Sequence, residues 1–184
     1  ARARLEVGQG SRLNHVRAVQ QRASADSLVQ IAGLAVRRAQ EALGVAVRSG
    51  LIHSVQASVS LFDQANLRRR LPAAAEAGLA VLGKRTLGGA PWRAGRELAP
   101  PEAEYRRRYE LMESGLLPVD EMPDCAIRFA AFAPGVTCVL VGGTQIEHLR
   151  DNVAAVERGP LPAATLAQID AAWRHFGADW DSIV

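Results

Sequence analysis

The chain has 184 residues, of which 48% are apolar and 22% are charged, and its formal net charge is +3. This composition predicts a globular domain with a sizeable core and argues against a disordered or fibrous chain. No stretch reaches the roughly 18–20 apolar residues that span a bilayer, and the N-terminus lacks the continuous apolar region of a secretory signal. A cytoplasmic protein without membrane contact is therefore predicted.

Charged residues and cysteines give little sign of nucleic-acid or metal binding. The basic residues are scattered except in two triplets, Arg68–Arg70 and Arg106–Arg108. Both triplets stand at helical spacing beside apolar residues and few aromatics, which favours solvated helix faces over a nucleic-acid surface. The two cysteines, Cys125 and Cys138, have apolar neighbours and belong to no Cys-x-x-Cys or His-rich pattern. Buried free thiols are predicted rather than a disulfide, and no metal site is predicted.

In chain order, residues 1–27 are predicted to form a leader and the end of a preceding helix, and residues 28–184 the main domain. In the main domain, short apolar runs alternate with amphipathic segments, a pattern typical of parallel strands joined by helices. The predicted strands are Leu28–Val36, Ser54–Leu61, Leu79–Lys84 and Cys138–Val141. The predicted helices are Arg37–Ser49, Leu67–Ala77, Glu102–Ser114, one that starts near Pro123 and runs through Ala130 to Pro134-Gly135, one that opens after Gly143, and Ala163–Phe176.

The segment Thr137–Asn152 has the clearest local pattern. A short apolar run ends in Gly142-Gly143, and Thr144 and Glu147 then have the spacing of a capping box that opens a helix. Such a turn leaves backbone N–H groups unpaired at the positive end of a helix, which suits a phosphate. An ordinary strand-to-helix turn has the same spacing, so both interpretations remain open for this segment alone.

Four segments together resemble the C-terminal half of the aldo-keto reductase family, namely Gln56–Gln64, Leu71–Arg93, Ala126–Thr144 and Glu147–Pro162. The last two are the most specific, because a helix, Pro-Gly, a strand and Gly-Thr-x-x-x-His-Leu-x-x-Asn follow in order. The resemblance extends from about Leu28 to the C-terminus. It implies an α/β fold, a partial (β/α)8 TIM barrel with about four parallel β/α units from the second half. It also implies reduction of aldehyde or ketone carbonyls with NAD(P)H.

The resemblance further implies which residues bind the cofactor. Those that match the adenosine-phosphate half are Gly142, Gly143, Thr144, Gln145, His148, Asp151 and Asn152. Lys84, Arg85 and Leu87 match positions near the pyrophosphate and ribose, and Gln56 matches the glutamine that holds the nicotinamide amide. The cofactor is NADP or NAD, because neutral Gln145 stands where the family usually has a basic residue for a 2′-phosphate.

The family's catalytic Tyr, Lys, Asp and His come from the first half of the barrel, upstream of anything that aligns here. No catalytic residue is therefore predicted, and the 184-residue chain is expected to be inactive alone. Four parallel strands leave two open edges, so a missing N-terminal half, another chain or self-association is expected to cover them. Since Ala35, Val36 and Val59 depart from the family's usual residues, the alternative is a non-catalytic nucleotide-binding or assembly module that pairs through open barrel edges.

Overall fold

The computed structural model describes residues 19–24, 26–27, 34, 38, 41–93, 95, 97–112, 118, 120–143 and 145–183. The chain divides into two compact units, Ala1–Val45 and Ala46–Val184. In the first unit, the described residues are helical. The domain boundary predicted after residue 27 stays a prediction.

The second unit contains, among its described residues, one sheet and a set of helices that follow its strands. The strands are β1 (Ser54–Ser58), β2 (Ala80–Lys84) and β3 (Cys138–Val139). The helices are α1 (Ala65–Arg69), α2 (Leu71–Glu76), α3 (Pro100–Met112), α4 (Met122–Ala131), α5 (Ile146–Glu157) and α6 (Ala163–Phe176). Residues 46–49, before β1, are also helical. None of the described helices combines the length and apolar character that crossing a bilayer requires.

The sheet is parallel throughout and has the order β1-β2-β3, which confirms the parallel pairing predicted from the alternating pattern. Gln56 lies opposite Leu82, and Leu82 lies opposite Cys138. Because side chains alternate along a strand, these three residues share one face of the sheet. Gln56 and Cys138 are exposed, whereas Val55 and Val81 on the other face are buried. One face is thus covered and the other is open within the described part of the chain.

The main hydrophobic core lies beside the sheet, where α3, α4 and α6 pack together with the segment that follows β1. Aromatic rings make up much of this core: the ring of Phe62 meets that of Tyr109 edge-on, with centroids 5.7 Å apart. Rings packed edge to face add stabilisation beyond the area that they bury. The core therefore holds α3, α4 and α6 beside the sheet.

The predicted strand Leu79–Lys84 is confirmed to within one residue, since β2 begins at Ala80, and the other three predicted strands differ more from the structure. Of Leu28–Val36, only Leu34 is described, and it is helical, because a short run rich in Leu and Ala suits a helix as well as a strand. β1 ends at Ser58 instead of Leu61, since Ser60 and Asp63 exchange two backbone hydrogen bonds of 3.2 Å in a tight turn. The predicted buried strand Cys138–Val141 is a two-residue edge strand.

The helix predicted over Leu67–Ala77 is two helices, α1 and α2, separated at Arg70. Pro72 explains the break, because its ring lacks an N–H and obstructs a continuous helix through the preceding turn. Helix α3 begins at Pro100, two residues before the predicted Glu102, and its predicted end, Ser114, lies outside the described residues. Helix α4 begins one residue before Pro123 and ends at Ala131, before the predicted Pro134-Gly135. The prediction for α6 is confirmed at both ends. Helix α5 follows Gly143 as predicted.

Two predictions about single side chains are wrong. Cys138 is exposed, because its edge strand is uncovered on one side in the described residues, whereas Cys125 is buried as predicted. Arg108 is only 5% exposed rather than part of a solvated face. Its guanidinium pairs with Glu104 at 2.8 Å and donates to the carbonyl oxygens of Phe62 and Asp181, at 3.1 and 2.8 Å. These partners offset the cost of burying its charge.

Candidate functional site

A cleft of about 620 Å³ opens among residues that follow the carboxyl ends of β2 and β3. In parallel α/β folds this end of the sheet is where ligands bind. Its walls come from the loop after β2, the turn after β3, the first half of α5 and the start of α4. The lining residues are Leu87, Ala90, Trp92, Arg93, Pro123, Gly142, Gly143, His148, Asp151 and Asn152.

Backbone contacts hold the two loop walls next to each other. The amide of Leu140 donates to the carbonyl oxygen of Gly83 at 2.8 Å, which extends the pairing of β2 and β3 by one residue. The buried hydroxyl of Thr86 in turn donates to the carbonyl oxygen of Leu140 at 3.5 Å. The loop after β2 and the turn after β3 therefore leave the sheet side by side.

The loop after β2 is a run of tight turns. Gly88, Gly89 and Ala90 all have positive φ values, between 54° and 74°. A methyl group on Gly88 would lie 2.8 Å from Cδ1 of Tyr105, so only glycine fits there. Trp92 is buried at the end of these turns and its ring centroid is 6.4 Å from that of Phe62. The buried indole anchors the wall that carries Arg93.

Helix α5 supplies the polar wall of the cleft. His148, Asp151 and Asn152 are spaced i, i+3 and i+4, which places them on one face of the helix. The N-cap of α5 is Gln145, one residue after Thr144, and no side-chain hydrogen bond caps the helix there, so the prediction of a capping box from Thr144 and Glu147 is wrong. Thr144 itself lies outside the described residues.

Six of the residues predicted to bind the cofactor line this cleft together: Leu87, Gly142, Gly143, His148, Asp151 and Asn152. The other described ones do not line it. Gln145 is exposed beside it, and Gln56 and Lys84 lie on the open face of the sheet, in the middle of β1 and at the end of β2. The guanidinium of Arg85 donates to the carbonyl oxygen of Ile183 at 3.1 Å.

Four lining residues were not predicted to belong to the site: Ala90, Trp92, Arg93 and Pro123. Three of them lie in the segment Leu71–Arg93 that carries part of the family resemblance, which is the one signal that pointed to this loop. Pro123 comes from the start of α4, and no local pattern connects it with α5. Its place in the wall follows from helix packing alone.

The cleft combines one guanidinium, one carboxylate, one carboxamide and one imidazole with two glycine backbones. Such a set can hold a phosphate and hydrogen-bond hydroxyl or amino groups. The tyrosines Tyr105 and Tyr109 belong to the core, and burial raises the pKa of Tyr105, whose hydroxyl donates to Asp63 at 3.4 Å. Among the described residues, no group of three or more His, Cys, Asp or Glu is arranged to hold a metal ion.

A sequence profile of the Aldo/keto reductase family matches residues 28–174. Together with the parallel α/β fold and the cleft, this match shows that the chain belongs to the aldo/keto reductase family. The structure is similar to aldo-keto reductase AKR11C1 from Bacillus halodurans in its apo form, with 26% identity and a TM-score of 0.51 over 66% of this chain. The holo form of the same protein matches with 23% identity and a TM-score of 0.47 over 66% of this chain. The matched part covers 43% of that protein in either form.

No curated protein matched the chain. The family membership therefore rests on the profile over residues 28–174 and on the similarity to the apo structure.

Proposed function

We propose that the chain is the cofactor-binding half of an NAD(P)H-dependent oxidoreductase that reduces aldehyde or ketone carbonyls. In this proposal its strands belong to the second half of a (β/α)8 barrel with about four β/α units here. One observation carries the proposal: residues that the resemblance assigns to the cofactor in two separate segments, among them Leu87 after β2 and His148 and Asn152 on α5, line the same cleft.

The chemistry of the lining residues suits the adenosine-phosphate half of a dinucleotide. Backbone N–H groups near Gly142 and Gly143, close to the start of α5, can donate to phosphate oxygens. The carboxylate of Asp151 can accept hydrogen bonds from ribose hydroxyls or an adenine amino group, and the amide of Asn152 can both donate and accept. Thr144 and Gln145 would flank the same phosphates at the end of the turn.

The nicotinamide half would extend from this cleft toward the open face of the sheet. Gln56 and Lys84 share that face, and the amide of Gln56 can hydrogen-bond a carboxamide. Arg85 follows Lys84 and would lie between the two halves of the cofactor. When bound, the cofactor supplies a hydride to the carbonyl carbon. The proton donor would come from residues outside this chain's aligned segments, so we propose binding without turnover for the 184-residue chain.

Calorimetric titration of the 184-residue chain with NADPH tests cofactor binding. We expect saturable binding that Asn152→Ala weakens about tenfold, the effect of losing one to two kcal/mol of hydrogen bonding. Arg150→Ala is the matched control, because Arg150 is an exposed neighbour on α5 that does not line the cleft. Absence of binding to a folded sample, or equal losses in the two variants, contradicts the proposal.

A carbonyl-reduction assay tests the absence of turnover. The purified chain, mixed with NADPH and a panel of aldehydes and ketones, is expected to leave the absorbance of NADPH unchanged. Reduction by the wild-type chain that is lost on mutating Gln56 or Asn152 would show that the chain carries its own catalytic groups. That result would overturn the prediction of inactivity.

The second candidate function is a non-catalytic module that assembles through open barrel edges. It is favoured by apolar side chains that are exposed just after β3 and on α5 in the second unit: Leu140 is 43%, Ile146 55% and Val153 58% exposed. Static light scattering of the purified chain distinguishes this candidate from the cofactor-binding proposal. A dimer or larger species that Val153→Glu dissociates, without any NADPH binding, would favour this candidate, whereas a monomer that binds NADPH would exclude it.

A further inference from the structure

Arg93 is the one permanently charged cation among the residues that line the cleft, and Asp151 is the one carboxylate. Gln145 is neutral and lies outside the lining, and Arg150 is exposed on α5 without lining the cleft. A ligand with several negative charges would therefore find a fixed positive charge on the loop wall. The α5 wall offers only polar groups and a carboxylate.

The position of Arg93 is fixed by its backbone. Its amide donates to the carbonyl oxygen of Ala90 at 3.0 Å, and its own carbonyl oxygen accepts a hydrogen bond from the guanidinium of Arg106. The preceding residue, Trp92, is buried in the core. These contacts hold the backbone at the rim of the cleft and leave the side chain exposed.

The guanidinium of Arg93 makes no ion pair with a described carboxylate. By contrast, Arg68, Arg128 and Arg158 are each paired with an aspartate within 3.1 Å. Arginine binds phosphate oxygens through two parallel N–H groups, a geometry that lysine cannot reproduce. An exposed guanidinium on a fixed backbone, facing a cleft with glycine turns, therefore has the chemistry of a phosphate ligand.

We propose that Arg93 binds a phosphate group of the nucleotide from the loop wall of the cleft. The inference rests on the proposed function, since it assigns a role within the same cofactor site. The phosphate could belong to the pyrophosphate that NAD and NADP share or to the 2′-phosphate that only NADP carries. Arg93 would then supply the positive charge that neutral Gln145, beside the cleft, does not provide.

Calorimetric titration with NADP+ and with NAD+ tests the assignment in the 184-residue chain. Arg93→Gln is expected to lower the affinity for NADP+ about tenfold or more, the effect of losing a charge-assisted hydrogen bond. Arg150→Gln removes the same charge from the exposed surface of α5 and is expected to change the affinity less than about twofold, since exposed charges are screened. Arg93→Lys keeps the charge without the paired N–H groups and should fall between wild type and Arg93→Gln.

Comparison of the two nucleotides distinguishes the two phosphates. Equal losses for NADP+ and NAD+ assign Arg93 to the pyrophosphate, and a loss confined to NADP+ assigns it to the 2′-phosphate. Unchanged affinity for both nucleotides, or equal losses in Arg93→Gln and Arg150→Gln, overturns the proposal. If Arg93→Gln does not fold, wild-type affinity in Arg93→Lys overturns it as well. Absence of any nucleotide binding by the wild-type chain is a different result, because it contradicts the proposed function itself.

Discussion

The carboxylate of Asp63 accepts a hydrogen bond from the backbone amide of Ile183, with 3.0 Å between Oδ2 and the nitrogen. The same oxygen accepts a hydrogen bond of 2.9 Å from the hydroxyl of Ser182. The carbonyl oxygen of Ile183 in turn accepts hydrogen bonds from Ser58 and Arg85, at 3.3 and 3.1 Å. Residues 182 and 183 are thereby attached at the carboxyl ends of β1 and β2, where Arg85 is one of the predicted cofactor residues.

Replacing Asp63 with alanine is expected to release this tail. Asp63→Ala leaves the amide of Ile183 and the hydroxyl of Ser182 without their shared acceptor, and buried unsatisfied donors cost about 1–3 kcal/mol each. Urea unfolding should show that the free energy of unfolding falls by about 2–4 kcal/mol. Asp63→Asn keeps one acceptor oxygen and is expected to lose less, so an equal loss in both variants would contradict the role of the hydrogen bonds.

Glu104 is expected to make stability depend on pH in the acid range. The hydrogen bond from Arg107 and the interaction with Arg108 lower the pKa of Glu104 from 4.5 to about 2. Because the pKa of Glu104 is lower in the folded state than in the unfolded state, the unfolded state binds more protons at pH values between the two. The stabilisation is therefore present above pH 4.5 and is lost as the pH falls toward 2.

Unfolding measurements between pH 2 and pH 6 check this dependence. The difference in unfolding free energy between wild type and Glu104→Gln should reach about 1 kcal/mol at pH 6 and shrink as the pH falls. The difference is small because solvent screens a partly exposed ion pair. Glu110→Gln removes the same charge from the same helix, where Glu110 is exposed and makes no salt bridge with a described residue. A pH-dependent difference of equal size in that variant would show that the effect is not specific to Glu104.

Gly88→Ala is expected to be strongly destabilising. The residue has a φ of 57°, and a methyl group there would lie 2.8 Å from the buried ring of Tyr105. Overpacking of this kind costs about 1–3 kcal/mol in addition to the backbone strain. Gly95→Ala is the matched control, because Gly95 also has a positive φ but has nothing within 4 Å of the added methyl. If thermal unfolding shows the same loss of stability in both variants, the contact with Tyr105 is not the cause of the destabilisation.

The two cysteines are expected to differ in reactivity. Burial and the neighbouring Asp124 carboxylate raise the pKa of Cys125 to about 11, whereas Cys138 is exposed on β3. Because the thiolate is the reactive form, a disulfide reagent at pH 8 should modify one thiol quickly in the native chain. Cys138→Ser should abolish this fast reaction and Cys125→Ser should preserve it. Two thiols that react at the same rate in the folded chain would contradict the burial of Cys125.

Much of the fold could be predicted because its signals are local. Helix α6 has the residues that its apolar periodicity predicts, and the strands pair in parallel as the alternation of strands and helices predicts. The differences arise where an element depends on its neighbours. Cys138 has the same apolar sequence context as a buried strand residue, yet it is exposed, because periodicity does not report whether a second element covers the strand.

The candidate site also contains residues that local sequence predicted and residues that only packing brings together. One part of the site lies within a single short segment: the glycine turn and the helix residues His148, Asp151 and Asn152. The family resemblance predicted these residues. Arg93 and Pro123 join them only because loops from different strands and helices pack against one another. No pattern within either segment indicates that contact.

The sequence by itself determined the order of strands and helices in the second unit, apart from the division between α1 and α2, and the glycine turn before α5. Hydrophobic periodicity and backbone preferences act over a few residues, so these features are local. Only the tertiary structure decided that Arg93 lies in one cleft with Asp151 and that Asp63 holds Ile183. Each of these pairs joins segments far apart in the chain. Their contact depends on how the sheet and helices pack, which no single segment encodes.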